Sequence, residues 1–99
     1  GKVYYDDEKT KLKEVYNYKE KLVFAQGDPS KGMEKQIIKH GPYFFYYESG
    51  QLKLSGTYKD GEKHNLWKHY NEKGTLTKVE KYKEGELLNT DTNPNPDNY

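Results

Sequence analysis

Hydrophobic and polar residues alternate along three stretches of the chain. In residues 52–59 the even positions hold leucine, glycine or tyrosine, whereas the odd positions hold lysine, serine or threonine. The same period recurs around Leu76 and Tyr82, and again around Leu12, Tyr16 and Tyr18. A period of two residues is typical of a β-strand with one face on a core and the other in water. The pattern therefore predicts strands in these three places.

An aromatic segment and a glycine-containing turn precede the alternating stretch in residues 52–59. The segment "PYFFYY" leads into "ESGQ", in which Gly50 suits a turn that requires a positive φ angle. Within the aromatic segment Tyr43 and Tyr46 have opposite parity, and so do Trp67 and Tyr70 further along the chain. Either both faces of that strand are partly covered, or a β-bulge shifts its register. An aromatic segment, a glycine-containing turn and an alternating stretch together predict a β-hairpin.

The hairpin unit is repeated. Residues 41–62 align with residues 65–86 at an offset of 24, and residues 1–21 align with residues 41–61 at an offset of 40. The positions that the two full copies share are Tyr43, Tyr46, Gly50, Leu52, Tyr58 and Gly61 in one copy and Trp67, Tyr70, Gly74, Leu76, Tyr82 and Gly85 in the other. A repeat of this kind indicates units that pack on their neighbours. We interpret the shared positions as structural, with Leu52, Tyr58, Trp67, Leu76 and Tyr82 in the core.

The repeat divides the chain into segments. It predicts one repeat domain over residues 1–88, with copies at about 1–21, 41–62 and 65–86, an insertion at 22–40, and a disordered tail or linker at 89–99. Within the insertion "GDPS" is a turn signal, and Ile37 and Ile38 begin a strand leading into the second copy. Two turns of helix over residues 33–39 are the alternative. The tail has two prolines and no apolar period.

The composition favours an aromatic β-protein with a thin core. Leucine, isoleucine, valine and phenylalanine are scarce, but the chain has 11 Tyr, 3 Phe and 1 Trp. Each buried aromatic ring removes about 150–250 Å² from water, so these rings replace the missing aliphatic side chains. Aromatic residues also suit strands better than helices. We predict an all-β fold: an antiparallel meander of repeated β-hairpins that forms a single elongated twisted sheet or an open barrel.

Residues 40–86 resemble the bacterial MORN-repeat variant family. Copies in that family read approximately Gly-x-aromatic-x-x-Tyr-Tyr-x-x-Gly-x-Leu-Lys, followed by Tyr-Lys-Asp-Gly-Lys. The match departs at Asn65, which replaces a glycine, and in the first copy at Thr10 and Lys21, which replace its two turn glycines. The resemblance implies an antiparallel meander of hairpins and no enzymatic activity. Members are often labelled antitoxin-like, and related repeats serve as scaffolds that bind proteins or membranes.

The charged residues argue against several functions. All 17 basic residues are lysine and the net charge is +1, and the lack of arginine disfavours sequence-specific binding of nucleic acids. His40, His64 and His69 fit no metal-binding motif, and no nucleophile motif or phosphate loop is present. We therefore expect no enzyme, no cofactor and no metal.

Two features of the sequence bear on the cellular location of the protein. It contains no apolar run long enough for a transmembrane segment. The chain begins at Gly1, so we expect that its N-terminus was trimmed. A bacterial cell-envelope or secreted location follows if a signal segment preceded Gly1, and a cytoplasmic location follows otherwise.

The residues that differ between the copies suggest a binding surface. Phe44, Phe45 and Tyr47 are replaced by Lys68, His69 and Asn71 in the third copy, so packing does not require them. An exposed aromatic cluster is typical of a contact surface. We therefore predict a protein-interaction module, antitoxin- or immunity-like, with another protein as its partner. In one alternative the segment 25–39 covers these rings. In another, a Lys- and aromatic-rich face binds anionic lipid or glycan, which would give membrane-surface contact.

Overall fold

The computed structural model describes residues 1–95 and contains nine β-strands in that part of the chain. The strands are β1 (Lys2–Tyr4), β2 (Leu12–Val15), β3 (Tyr18–Phe24), β4 (Met33–Lys39), β5 (Gly41–Tyr46), β6 (Leu52–Lys59), β7 (Glu62–Tyr70), β8 (Leu76–Lys83) and β9 (Glu86–Thr92). Two short 3₁₀ turns, Ala25–Gly27 and Pro29–Lys31, join β3 to β4. The predicted all-β fold is confirmed.

Seven of these strands form one antiparallel sheet. Its order is β1-β2-β5-β6-β7-β8-β9, so neighbours in the sheet are neighbours in the chain except where β3 and β4 intervene. The molecule measures 60 × 39 × 15 Å, which is elongated and about as thin as one sheet with its side chains. The sheet does not close into a barrel, because β1 and β9 are its free edges. The predicted meander in a single elongated sheet is confirmed.

The insertion forms a second hairpin that extends a hairpin of the main sheet. Strand β2 pairs with β5, and β3 pairs with β4 further along the same two chain segments. The two halves meet at a bend, where the His40 N–H donates to the Asn17 carbonyl and the Asn17 amide donates to the Pro42 carbonyl, both at 2.9 Å. Lys21 stands at the position of Gly61, so the chain continues as a strand instead of turning. The helical alternative for residues 33–39 is wrong, since this segment is β4.

The repeated phrase Tyr-Lys-Asp/Glu-Gly-Glu forms two-residue turns. Asp60 and Gly61 have φ of 52° and 85°, and Glu84 and Gly85 have φ of 51° and 83°. Positive φ at both central residues is the type I′ turn, whose twist matches that of paired strands. Each glycine N–H also donates to a carbonyl one hairpin earlier, from Gly61 to Lys39 at 2.8 Å and from Gly85 to Lys63 at 3.0 Å. The phrase thus joins each hairpin to the one before it.

The other turns show where the first copy departs from the repeat. Gly50 and Gly74 lie in five-residue loops with φ of 95° and 83°. Asn65 has φ of 60°, a left-handed conformation that asparagine adopts more readily than most other residues with a side chain. In the first copy Lys9, not Thr10, has the positive φ, and the loop between β1 and β2 is longer. That hairpin is distorted because no glycine is available there.

Each full repeat has a register shift beside its aromatic strand. The pairing of β5 with β6 shifts between Phe45 and Tyr46, and the pairing of β7 with β8 shifts between His69 and Tyr70. The extra residue at each shift lies in the return strand, Lys53 of β6 and Thr77 of β8, so the aromatic strands β5 and β7 alternate without interruption. Tyr43 and Tyr46 therefore lie on opposite faces, where Tyr43 is buried and Tyr46 is half-buried, which agrees with the alternative that both faces are partly covered. Phe44 and Phe45, which are neighbours in β5, also lie on opposite faces of the sheet.

The C-terminal boundary of the sheet differs from the prediction. Residues 89–92 belong to β9, which pairs with β8 from Lys83 to Lys78, so the predicted start of the tail at residue 89 is wrong. Backbone pairing with β8 holds these polar residues in an extended strand, although they have no apolar period. Asn93 then ends the sheet, with its amide donating to the Leu76 carbonyl and its N–H donating to the Thr77 carbonyl, both at 2.8 Å. The last part of the predicted tail, residues 96–99, lies outside the described residues.

The core centres on one indole ring. Trp67 is completely buried and Tyr43 is 6% exposed, and they are the only buried hydrophobic residues among residues 1–95. The Trp67 ring lies over Gly56, 4.9 Å from the ring centroid of Tyr58 and 5.5 Å from that of Tyr43. Its Nε1–H donates to the Thr57 carbonyl at 3.1 Å. Trp67 is therefore confirmed as the centre of the core.

The rest of the predicted core is only partly buried. Leu52, Tyr58 and Tyr82 are half-buried. The prediction for Leu76 is wrong, because this side chain is 36% exposed at the start of β8, beside the edge strand β9. A single sheet has no second layer to cover such positions.

Replacing Gly56 with alanine tests the packing at the indole. A Cβ atom on Gly56 would collide with the Trp67 ring, so we expect Gly56→Ala to lower the free energy of unfolding by about 1–3 kcal/mol. Urea unfolding followed by the fluorescence of the single tryptophan measures this directly. The neighbouring variant Ser55→Ala, which changes the other face, should stay within about 0.5 kcal/mol of wild type. Equal stability of both variants would contradict the packing described here.

Candidate functional site

The three predicted binding residues do not form one cluster. Phe44, Phe45 and Tyr47 are all half-buried, and Phe44 lies on the opposite face from Phe45. The Lys53 ammonium lies 5.6 Å from the Phe45 ring centroid and 5.3 Å from that of Tyr47. Both rings therefore contact a lysine of their own chain. Lys53 therefore covers part of both rings. The inserted hairpin does not pair with this strand, because β3 and β4 pair with each other.

The Tyr47 hydroxyl connects two repeats. It donates to the Tyr70 carbonyl at 2.8 Å, and the Tyr5 hydroxyl of the first copy donates in the same way to the Tyr46 carbonyl at 2.7 Å. Tyr46 and Tyr70 are equivalent positions of successive copies. At the third copy the position holds Asn71, which folds its own loop by accepting from Lys73 and Thr75 N–H groups. Tyr47 thus has a structural contact that the sequence did not reveal.

A lysine lies between two aromatic rings in each full repeat. The Lys39 ammonium is 5.3 Å from the Tyr43 ring centroid and 5.2 Å from that of Tyr58. At the equivalent position, the Lys63 ammonium is 4.9 Å from Trp67 and 5.0 Å from Tyr82. Contacts of this type contribute about 0.5–1 kcal/mol each at exposed sites. The offset of 24 between Lys39 and Lys63 is a sequence signal that would have revealed the pair.

Carboxylates on the same face accept hydrogen bonds from tyrosines. Glu14 accepts from the Tyr43 hydroxyl, and Glu80 accepts from the Tyr82 hydroxyl at 3.2 Å and contacts the His69 ring. Burial, with the nearby carboxylates, raises the pKa of the three tyrosines Tyr43, Tyr58 and Tyr82. Burial also opposes ionisation of Glu80, but hydrogen bonding to His69 and the charges nearby outweigh it and lower its pKa. These phenols and carboxylates therefore satisfy one another within the fold.

The three histidines lie in separate parts of the sheet. His40 Nδ1 accepts the Asp60 N–H at 3.2 Å, and His69 contacts Glu80. His64 Nδ1 is buried without a hydrogen-bond partner among the described residues. Within residues 1–95, no three histidine, aspartate or glutamate side chains come together in a group that would hold a metal ion.

A shallow groove crosses the face that carries Phe44. It has a volume of about 540 Å³, and we define the Phe44 groove by Pro42, Phe44, Leu66, Lys68 and Lys81. The groove lies at a register shift between β6 and β7. There Gly56 of β6, which has no side chain, faces three residues of β7. Leu66 is 48% exposed in it. In the described part of the chain, neither Lys68 nor Lys81 has an acidic partner within salt-bridge distance.

A second exposed apolar surface lies on the inserted hairpin. Alternation and the register of β3 with β4 place five large apolar side chains on one face of the ribbon. We call this the hairpin apolar face; its members are Tyr18, Leu22, Phe24, Met33 and Ile37, with exposures of 50–68%. The sequence analysis treated this segment as an insertion and did not identify the surface. The shared parity of Tyr18, Leu22 and Phe24 was the available signal.

Comparison with protein-family models, with curated proteins and with solved structures gives no match for this chain. Between residues 1 and 95, no helix has the length and apolar character needed to cross a bilayer. The functional proposals below therefore rest on the site geometry and on the sequence resemblance of residues 40–86.

The raised pKa values of three tyrosines predict a loss of stability at alkaline pH. The folded chain keeps protons on Tyr43, Tyr58 and Tyr82 at a pH where the unfolded chain loses them, because the pKa of each is raised above 10.0. Their contribution is complete below pH of about 10 and is lost as the pH rises further. Urea unfolding at increasing pH measures this loss, and the ultraviolet absorbance of phenolate counts the groups that ionise. Ionisation of all tyrosines together near pH 10, with unchanged stability, would contradict the prediction.

Removing the Tyr47 hydroxyl tests its role between repeats. Tyr47→Phe keeps the ring beside Lys53 but leaves the Tyr70 carbonyl without this donor, so we expect a loss of about 0.5–1.5 kcal/mol in the free energy of unfolding. Tyr4→Phe is the matched control, because the Tyr4 hydroxyl makes no hydrogen bond within residues 1–95. If both variants unfold at the same urea concentration, the hydroxyl does not connect the repeats.

Proposed function

We propose that this chain is a non-enzymatic repeat protein that acts as a protein-interaction module and binds an extended segment of another protein in the Phe44 groove. The observation that carries the proposal is the chemistry of the groove. Apolar side chains form one part of it, including the half-exposed Leu66, and two lysines without acidic partners lie beside them. A rigid sheet holds all of these side chains in place.

The groove defines the chemistry of its partner. An apolar side chain of the partner would pack on Phe44 and Leu66, and a carboxylate would lie near Lys68 or Lys81. Complementary charges of this kind give specificity and orient the partner. The depression is shallow and open, whereas small-molecule sites enclose most of the ligand surface. A segment of protein chain therefore fits it better than a small molecule.

The proposal assigns no catalytic step and needs no cofactor. Glu80 contacts the His69 ring and accepts a hydrogen bond from the Tyr82 hydroxyl, on the face opposite the groove. In the described residues, no carboxylate lies within salt-bridge distance of the two groove lysines. Their role here is to attract a negatively charged partner.

The partner class follows from the resemblance to the bacterial MORN-repeat variant family. The repeated type I′ turns at Gly61 and Gly85 and the repeated lysine contacts show that the two full copies of this chain fold alike. The antitoxin-like label of the family favours an antitoxin- or immunity-like role, with a toxin or effector as the partner. Co-expression with the product of an adjacent gene tests this role: growth arrest by that product, relieved by this chain, is expected.

Binding to anionic lipid or glycan is the second candidate function. The observation that favours it is the lack of acidic partners for Lys68 and Lys81, which leaves two positive charges on an open face. Against it, the total charge of +1 gives little long-range attraction to an anionic surface.

Selection of displayed random peptides on the purified chain tests the groove. We expect enriched peptides to combine an apolar residue with aspartate or glutamate, and their affinity to fall at least about tenfold for Leu66→Asp and for Lys68→Glu with Lys81→Glu. Leu88→Asp and Lys83→Glu are matched controls, since Leu88 is 50% exposed and Lys83 is exposed at the end of β8. Peptides that bind the groove variants and wild type equally would overturn the proposal that the Phe44 groove is the binding site. Binding to phosphatidylserine vesicles without peptide enrichment would favour the second candidate.

A further inference from the structure

The inserted hairpin presents an apolar surface that nothing in the described chain covers. Strands β3 and β4 pair only with each other among the strands of residues 1–95, and their apolar face points into solvent. We propose that the hairpin apolar face is the interface of a two-fold dimer, in which the occupant is the same face of a second molecule of this chain. This proposal concerns a different surface from the Phe44 groove and does not rest on it.

The exposed area is what a small dimer interface needs. Five large side chains that are 50–68% exposed present roughly 500 Å² of surface, taking about 150–250 Å² for each side chain. Two such faces would bury roughly 1000 Å², which is near the lower limit for a specific interface. A face of roughly 500 Å² lies within the range of about 300–600 Å² for the largest apolar patch of a typical monomer, and such patches are often functional.

The charges on this face favour a second molecule over an anionic membrane. Glu20 and Lys35 lie within the face and approach each other to 3.7 Å across the two strands. Lys39, at the base, contacts the rings of Tyr43 and Tyr58 in the main sheet. The exposed part of the face is therefore neutral and carries one charge of each sign. Two identical neutral faces do not repel each other, whereas a lipid surface would select a positive face.

The opposite face and the base of the hairpin contact the main sheet, so only the hairpin apolar face is available to a second molecule. Ile38, on the opposite face, approaches Gly61 of the β6–β7 turn, and Lys19 forms an ion pair with Asp60. With the Gly61 N–H bond to the Lys39 carbonyl, these contacts anchor the base to the main sheet. Beyond the base the ribbon is a two-stranded hairpin, a structure of marginal stability in water. Packing against a second ribbon would supply the missing layer.

Sedimentation equilibrium of the full 99-residue chain tests the proposal. We expect a reversible monomer–dimer equilibrium between about 5 and about 500 µM, since dimerisation depends on concentration. The decisive variant is Leu22→Glu with Ile37→Lys. Leu22 lies opposite Lys35 and Ile37 lies opposite Glu20, so both new side chains form favourable cross-strand pairs in the monomer. The hairpin should therefore stay folded while the dimer dissociation constant rises at least about tenfold.

Two controls separate the outcomes. Leu88→Lys removes a side chain that is 50% exposed on β9 and should leave the dimer unchanged. Far-ultraviolet circular dichroism of the double variant should match wild type, and a variant that loses strand content is replaced by Ile37→Thr, which keeps a β-branched residue. A chain that is monomeric over the whole concentration range, or a dimer that the hairpin variants do not weaken, would overturn the proposal. A monomer that binds phosphatidylserine vesicles through this face would also overturn it.

Discussion

The packing of Trp67 on Gly56 is the contact on which the rest of the sheet depends. A sheet only one layer thick has no opposing layer, so a side chain is buried only if its own neighbours surround it. Gly56 leaves room for the indole to lie against the backbone, and Tyr43 and Tyr58 enclose its edges. This arrangement gives a completely dry side chain in a molecule of 99 residues with few aliphatic side chains.

Lysine side chains take the place of a second layer. Lys39 and Lys63 lie over the aromatic rings that border each full repeat, and Lys53 lies over the rings of Phe45 and Tyr47. A lysine covers an aromatic ring with its hydrocarbon stem and keeps its ammonium group in water. This explains how a chain rich in lysine and tyrosine forms an ordered sheet. It also explains why exposed aromatic rings and lysines in such a sequence do not by themselves mark a binding site.

The sequence predicted the hairpins and the turns because each depends on residues close together in the chain. The glycines at positions 61 and 85 are local signals of this kind. The site was harder to predict. Phe44 and Phe45 were grouped because the third copy differs at both positions, but as neighbours in β5 they face opposite sides of the sheet. The contact of Tyr47 with Tyr70 joins different hairpins, and the extension of β9 to Thr92 depends on pairing with β8. Neither leaves a pattern in its own segment.

The backbone bonds from Gly61 to Lys39 and from Gly85 to Lys63 couple each hairpin only to its predecessor. Stability in such an array is the sum of unit and nearest-neighbour terms, as in a one-dimensional chain of coupled segments. Opening then begins at the ends, where a unit has one neighbour, and proceeds inward. Strands β6 and β7 lie in the middle of this order, so we expect their amide protons to exchange last and those of β1 and β9 to exchange first. The molecule thus has a gradient of local stability along its length.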